Sequence, residues 1–161
     1  MSASLEYLVI LILVANGAPI LIRNIMGNVA NYPLDAGKIL GDNFPVFGNS
    51  KTWRGVFASV ILTVTAAFLL GYGFIFGVIV SVLAMTGDLL SSFIKRRLKI
   101  QPSRMAPLLD QVPESLFPAL YMMYVLSLAW MDVLFVVMAF IVFELVLSKI
   151  LYRLGIRRRP Y

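Results

Sequence analysis

The chain has 161 residues, of which 60% are hydrophobic and only 14% are charged, and its net charge is +6. A soluble domain of this size cannot bury so much apolar surface, so the composition predicts an integral membrane protein. The chain contains no cysteine and no histidine, which excludes disulfides, thiol chemistry, and acid–base or zinc chemistry based on histidine. We interpret the positive charge as membrane orientation and contact with anionic lipid, and not as nucleic-acid binding.

Five apolar stretches are candidates for membrane-spanning helices, because about 20 apolar residues in a helix cross the hydrocarbon layer. They are residues 5–22, 55–70, 74–94, 114–130 and 133–152. A Gly-Tyr-Gly sequence at residues 71–73 divides the second stretch from the third, since glycine favours turns. Residues 130–132 are predicted to form the tight turn between the fourth and the fifth. We expect one domain, residues 1–161, in which all regular structure is α-helical.

The distribution of charge predicts how the helices are oriented. With five spans, the two polar loops (residues 23–54 and 95–113) and the basic C-terminal tail fall on the same side of the membrane. All fourteen Lys and Arg residues then lie on that side or at helix ends that reach it. Positively charged loops usually stay in the cytoplasm. We therefore expect a multi-pass protein of the cell membrane, with an outside N-terminus, a cytoplasmic C-terminus and a polar cavity that faces the cytoplasm.

The end of the first loop has the features of an anion-binding site. Lys51 and Arg54 lie near the predicted start of the second span, and Ser50 and Thr52 are residue types that cap helix N-termini. Glycines in this loop, such as Gly48, let the backbone turn tightly and approach a ligand. The same features fit an ordinary capped helix with cationic membrane anchors equally well.

A second candidate site lies near the end of the third span. Asp88 is about two turns, or roughly 9 Å, inside that end, where a carboxylate is costly and is a functional candidate by default. The same helix face carries Ser91, Ser92 and Lys95. An acid, two hydroxyls and a cation in one row suit a metal–phosphate ligand. The alternative is a plain ion pair between Asp88 and Lys95 or a neighbouring helix.

The second loop adds another carboxylate, Asp110, which lies between two prolines at the start of the fourth span. By itself it fits a helix cap or a solvated acid. Together, Asp88 and Asp110 suit Mg²⁺, which takes few carboxylates and bridges substrate phosphates. The sequence therefore predicts Mg²⁺ at these two aspartates, beside a cluster of cations that suits a polyphosphate. Glu144 in the fifth span is interpreted as a supporting or structural acid, paired with Lys149 or with a cation of another helix.

Three motifs resemble elements of the CTP-dependent phospholipid cytidylyltransferases, and they occur in that family's order. Residues 47–55 read F-G-N-S-K-T-W-R-G, which is similar to the family element F-G-x-S-K-T-W-x-G. Residues 87–96 contain G-D-L followed by S-F-I-K-R, and residues 109–110 are L-D. Bacterial CDP-diacylglycerol synthases continue with D-R-x-D, whereas residues 110–113 here are D-Q-V-P. The short length and the five spans resemble the archaeal, CDP-archaeol-forming branch.

This resemblance implies a membrane nucleotidyltransferase of phospholipid biosynthesis. Such an enzyme joins CTP to unsaturated archaetidic acid, a prenylated glycerol phosphate lipid, and releases pyrophosphate. The resemblance assigns Asp88, Asp110 and Lys95 to catalysis, and both aspartates to Mg²⁺. The loop at residues 43–48 is a candidate for contacting cytosine through its backbone. The expected nucleotide- and phosphate-binding residues are Asn43, Gly48, Ser50, Lys51, Thr52, Arg54, Ser91, Ser92, Arg96 and Gln111.

Other functions stay open at this point. A CDP-diacylglycerol synthase or a lipid kinase would use similar groups. An ion- or proton-coupled transporter would use Asp88 and Glu144, but it leaves the motif at residues 50–55 unexplained. The expected partners are CTP, the lipid phosphate and the bilayer, without nucleic acid, and the sequence leaves a homodimer open.

Overall fold

The computed structural model describes residues 3–101, 104 and 106–155, and five α-helices account for most of them. The helices are α1 (Ala3–Met26), α2 (Trp53–Leu69), α3 (Phe74–Arg97), α4 (Gln111–Val125) and α5 (Trp130–Arg153). Within the described residues, extended pairing is limited to two isolated bridges in the first loop, Pro33 with Thr52 and Ile39 with Pro45. The prediction of an all-α protein with five helices is confirmed.

Three of the helices are long and apolar enough to cross a membrane. They are α1 (from Ser4), α3 and α5. Only 28–39% of the residues in their most apolar windows are buried, so most of this apolar surface faces outward, where lipid can solvate it. The apolar helix α2 has 17 residues and α4 has 15. That these two also cross the membrane stays a prediction.

The turn between α4 and α5 differs from the sequence prediction. It covers residues 126–129, because α4 ends at Val125 and α5 already begins at Trp130. The predicted turn at residues 130–132 is therefore wrong. The Asp132 carboxylate accepts a hydrogen bond from the Ala129 N–H at 2.9 Å. An acid in the first turn of a helix satisfies free N–H groups there, so Asp132 stabilises the start of α5 and does not interrupt it.

The helices are packed most tightly at the end of the bundle that carries the two short turns. The helices α1 and α2 run antiparallel, because Gly55 lies beside Pro19 whereas Ser59 Oγ donates to the Ala15 carbonyl at 2.8 Å. A Cβ on Gly77 would lie 2.7 Å from Val64 Cα, so α2 and α3 approach backbone to backbone. The core cluster consists of Leu5, Leu8, Val9, Leu11, Ile12, Ala67, Val80, Ala119, Met122, Val133, Val136 and Phe140. The two long loops lie at the opposite end, where the bundle is hollow.

Candidate active site

A cavity of about 850 Å³ opens at the end of the bundle that carries the long loops. All five helices and the first loop contribute to its lining. Most of the predicted site residues line it: Ser50, Lys51, Thr52, Arg54, Asp88, Ser92, Lys95, Arg96, Asp110 and Gln111. The fold therefore brings three separate sequence motifs to one place.

Asp88 pairs with Lys51, and not with Lys95 on its own helix. The Lys51 Nζ lies 2.5 Å from each carboxylate oxygen of Asp88. Burial alone would lower the pKa of Lys51, but the hydrogen bond to Asp88 and the negative charges of Asp88, Glu114 and Asp110 together outweigh burial and raise that pKa above its ordinary value. The cavity therefore holds a charged lysine from the first motif against the carboxylate of the second.

Lys95 pairs with Asp110 of the third motif. Its Nζ lies 2.6 Å from Asp110 Oδ1 and also donates to the Arg104 carbonyl at 3.3 Å. The other oxygen of Asp110 accepts from the Ala106 N–H at 3.0 Å. Asp88 and Lys95 are seven residues apart on α3, which corresponds to about 10 Å along the helix. Two lysine–aspartate pairs thus stand one above the other along one wall of the cavity.

Glu114 is a third buried acid, and sequence analysis did not select it. Its side chain lies close enough to that of Asp88 for the two acids to interact electrostatically, and only 8% of the residue is exposed. This contact depends on Gly87, because a Cβ there would lie 2.2 Å from the Pro113 carbonyl oxygen. The available signal was the spacing of Asp110 and Glu114, which are four residues apart at the start of one helix.

Gln111 connects three parts of the structure behind these acids. Its Oε1 accepts from the Leu108 N–H at 2.8 Å, and its Nε2 donates to Glu144 Oε2 at 2.9 Å. Gln111 is 2% exposed. It therefore ties the second loop and α4 to α5, and this position supports the interpretation of Glu144 as a supporting acid.

Arg96 is a buried cation that forms no ion pair with a carboxylate of a described residue. Only 1% of the residue is exposed, although it lines the cavity. Its Nε donates to the Ser92 carbonyl at 3.4 Å, and its Nη1 has no hydrogen-bond partner in the part of the chain that the structure describes. A buried cationic N–H group without an acceptor is costly. An anionic ligand in the cavity would supply the missing acceptor.

Arg54 and Thr52 shape the first loop where it meets α2. The Thr52 Oγ1 accepts from the Gly55 N–H at 3.3 Å and caps the helix, as its residue type predicts. The Arg54 guanidinium donates to the carbonyls of Gly27 and Val29, and to Asn31 Oδ1 at 3.0 Å. Arg54 therefore holds the segment after α1 against the mouth of the cavity, which it also lines.

Three predicted residues, Asn43, Gly48 and Ser91, are not among those that line the cavity. The Ser91 hydroxyl donates to the backbone carbonyl of Asp88 at 2.9 Å. Gly48, at φ +93°, donates its N–H to Asp35 at 2.8 Å. Burial alone would raise the pKa of Asp35, but N–H groups donated by Gly48 and its neighbours hold it below its ordinary value.

The segment around Asn43 is held by Arg97 at the end of α3. The Arg97 guanidinium donates to the Pro45 carbonyl at 2.6 Å and lies 2.8 Å from the Asp42 carboxylate. Several backbone groups of residues 43–48 are therefore used inside the protein. This arrangement gives no support to the idea that this loop contacts cytosine through its backbone.

Sequence analysis also missed a group of neutral polar residues in the lining. These are asparagines of α1 and the first loop: Asn16, Asn24, Asn28, Asn31 and Asn49. Asn16 and Asn24 lie eight residues apart on α1, and Asn28 follows the end of that helix by two residues. Each asparagine alone is an ordinary loop or helix-end residue, so no single position indicated a site.

Comparisons with known proteins identify relatives over nearly the whole chain. Residues 4–161 match the model of a family described as CarS-like, CDP-archaeol synthase. A CDP-archaeol synthase of Sulfolobus acidocaldarius is 30% identical over 155 residues, which are 92% of this chain and 91% of that protein. One from Staphylothermus marinus is 28% identical over 161 residues, covering 92% of this chain and 87% of that protein.

Two further similarities agree with these. A CDP-archaeol synthase of Hyperthermus butylicus is 39% identical over 106 residues, which are 62% of this chain and 60% of that protein. Among solved structures, an intramembrane enzyme for archaeal membrane lipid biosynthesis superimposes with a TM-score of 0.62 and 28% identity. That likeness covers 84% of this chain and 91% of the other.

Proposed function

This chain belongs to the CarS-like family of CDP-archaeol synthases, and we propose that the cavity is where it joins CTP to unsaturated archaetidic acid. CDP-archaeol synthesis is the function that its relatives share, so the protein is a membrane-embedded, multi-pass transferase of archaeal lipid biosynthesis. The buried guanidinium of Arg96 carries the proposal, because it needs an anion and lies beside two lysine–aspartate pairs.

In the proposed reaction, an oxygen of the lipid phosphate attacks the α-phosphorus of CTP. The new bond joins that oxygen to the α-phosphorus, and the bond to the bridging oxygen of the β-phosphate breaks and releases pyrophosphate. A phosphate monoester has its second pKa near 6, so the attacking group is largely dianionic and needs no strong base. Lys51, Lys95 and Arg96 would position the phosphates and offset their charge.

We propose that acids of the cavity hold Mg²⁺ as a cofactor. Asp88 and Asp110 would hold it, since carboxylate oxygens are the donors that Mg²⁺ prefers, and it commonly uses one or two of them together with substrate phosphates. Among residues 3–101, 104 and 106–155, no group of three or more acidic side chains forms a metal site. The bound ion would neutralise phosphate charge and assist the departure of pyrophosphate.

The prenyl chains of the lipid are proposed to enter the cavity sideways, from the membrane. Apolar side chains of α1 and α5 also line the cavity, namely Leu13, Ile20, Leu147 and Leu151. The helices α1 and α5 share the tight core only at the end with the short turns. A gap between them would admit chains from the leaflet while the headgroup reaches Arg96.

We further propose five spans, with both long loops and the active site on the cytoplasmic side of the cell membrane. The chain has no cysteine, so single cysteines can be introduced and labelled in intact cells with a reagent that does not cross membranes. Cysteines at Leu69 and Met131, which are exposed near the short turns, should react from outside. Cysteines at Lys38 and Gln101 should react only after lysis. Labelling of Lys38 and Met131 from the same side would contradict the five-span arrangement.

The activity is tested with purified protein, Mg²⁺, CTP and unsaturated archaetidic acid. Label on the α-phosphate of CTP should appear in the lipid, and label on the γ-phosphate should appear in pyrophosphate. A lipid kinase would transfer the γ-label instead. A transporter would transfer neither label and would show no dependence on CTP. Diacylglycerol phosphate as a competing acceptor would distinguish a CDP-diacylglycerol synthase, which should prefer the ester lipid.

A further inference from the structure

The asparagines of this chain are concentrated in the cavity. The sequence contains six, at positions 16, 24, 28, 31, 43 and 49, and none after Asn49. All except Asn43 line the cavity. Asn16 lies inside α1, where its Nδ2 donates to the Ile12 carbonyl at 3.1 Å. The other four are exposed at the mouth of the cavity, and we call Asn24, Asn28, Asn31 and Asn49 the asparagine rim.

The asparagine rim adjoins the cations that would bind phosphate. Asn49 precedes Lys51 by two residues, and Asn31 accepts a hydrogen bond from Arg54 at 3.0 Å. The side chains of Asn28 and Asn49 make no hydrogen bond to any described residue. A ligand whose phosphates reach Lys51 and Arg96 would therefore place its remaining part among neutral amides.

The chemistry of the amide fits a nucleobase better than it fits a phosphate. An asparagine side chain is uncharged and both donates and accepts hydrogen bonds, as the edge of a nucleobase does, whereas phosphates are bound mainly by cations. Arg54 occupies Oδ1 of Asn31. The Nδ2 of Asn31 is thereby left as a fixed donor. Cytosine offers an acceptor at its ring N3, where uracil carries an N–H donor, so a fixed donor at that edge discriminates between them.

We propose that the asparagine rim is the nucleoside subsite of the cavity, and that Asn31, oriented by Arg54, favours cytosine over uracil. The proposal rests on the proposed function, because it assumes that a nucleotide binds at the adjacent cations. It makes the first loop, and in particular its junction with α1, the part of the protein that selects the base.

The test is competition binding with the purified full-length protein, using labelled CTP displaced by unlabelled CTP, UTP or CMP. The wild-type protein should prefer CTP to UTP by roughly tenfold or more, the range expected for one well-placed base contact. Asn31→Asp keeps an acceptor for Arg54 but removes the N–H donors. Its added charge should weaken the binding of both nucleotides, while the ratio of CTP affinity to UTP affinity should fall towards one. Gln101→Glu is the matched control, because it makes the same amide-to-carboxylate change at an exposed residue that does not line the cavity, and it should keep the wild-type preference.

Asn28→Ala and Asn49→Ala provide a second test that leaves Arg54 undisturbed. Each substitution should lower the affinities for CTP and for CMP by the same factor, since the lost contact is to the nucleoside. Unchanged preference in Asn31→Asp together with unchanged CMP affinity in these two variants would overturn the proposal. A wild-type protein that forms CDP-archaeol but binds CTP and UTP equally would overturn it as well, while the proposed function stands. Absence of any CTP binding by the wild-type protein would overturn both.

Discussion

Asp88→Asn should reduce the rate of pyrophosphate release by roughly 100- to 1000-fold, the scale expected when a central electrostatic group of an active site is lost. The substitution preserves shape but removes the charge that Lys51 contacts at 2.5 Å. It also removes one of the two proposed Mg²⁺ ligands. Asp110→Asn should have a similar effect, because it is the partner of Lys95 and the other proposed ligand.

The double variant Asp88→Asn/Asp110→Asn should be scarcely slower than either single one, because residues that act as a unit are strongly non-additive. The measurement is kcat at saturating CTP and Mg²⁺, beside the melting temperature of each variant. Asp42→Asn is the matched control, since Asp42 pairs with Arg97 and is not among the residues that line the cavity. It should retain activity.

A purely structural role of the pairs predicts a different pattern. Removing one partner of a buried ion pair costs about 3–5 kcal/mol of stability, so the activity of both variants would then fall only in step with their melting temperatures. A fully active Asp110→Asn protein would contradict the shared metal site and would leave Asp88 with Glu114 as an acidic neighbour.

Arg96→Met should weaken CTP or lipid-phosphate binding by roughly 10- to 150-fold, since a hydrogen bond to a charged group contributes about 1.5–3 kcal/mol. Its melting temperature should stay the same or rise, because the substitution removes a buried cation whose Nη1 lacks a partner among the described residues. Binding and stability are therefore expected to change in opposite directions, which a residue with only a structural role cannot produce.

The neighbouring residue, Arg97, provides the control for this experiment. Arg97 holds Asp42 and the Pro45 carbonyl and is not part of the cavity lining. Arg97→Met should lower the melting temperature and change nucleotide affinity much less. If Arg96→Met binds CTP and lipid phosphate normally and is destabilised, Arg96 is a structural residue, and the anion site lies at Lys51 and Lys95 alone.

The local parts of this structure were predictable from the sequence because their causes are local. Apolar runs separated by a Gly-Tyr-Gly turn define the hairpin of α2 and α3, and Thr52 caps α2 as its residue type predicts. The sequence prediction placed the turn before α5 at the wrong residues, and the cause is again local. By residue type, Asp132 fits an interhelical turn as well as it fits the first turn of a helix. Only its hydrogen bond from the Ala129 N–H, seen in the structure, assigns it to the start of α5.

The sequence by itself determined that there are five helices, that three motifs share one end of the bundle, and which charged groups are available there. Only the tertiary structure decided which of these side chains contact one another. Lys51 meets Asp88 across 37 positions, Glu114 reaches Asp88 only because Gly87 has no side chain, and Arg54 orients Asn31. Helix periodicity fixes which residues share a face, whereas the distance between two faces depends on how the helices pack. Packing alone brings single asparagines and a first-turn glutamate to the same cavity.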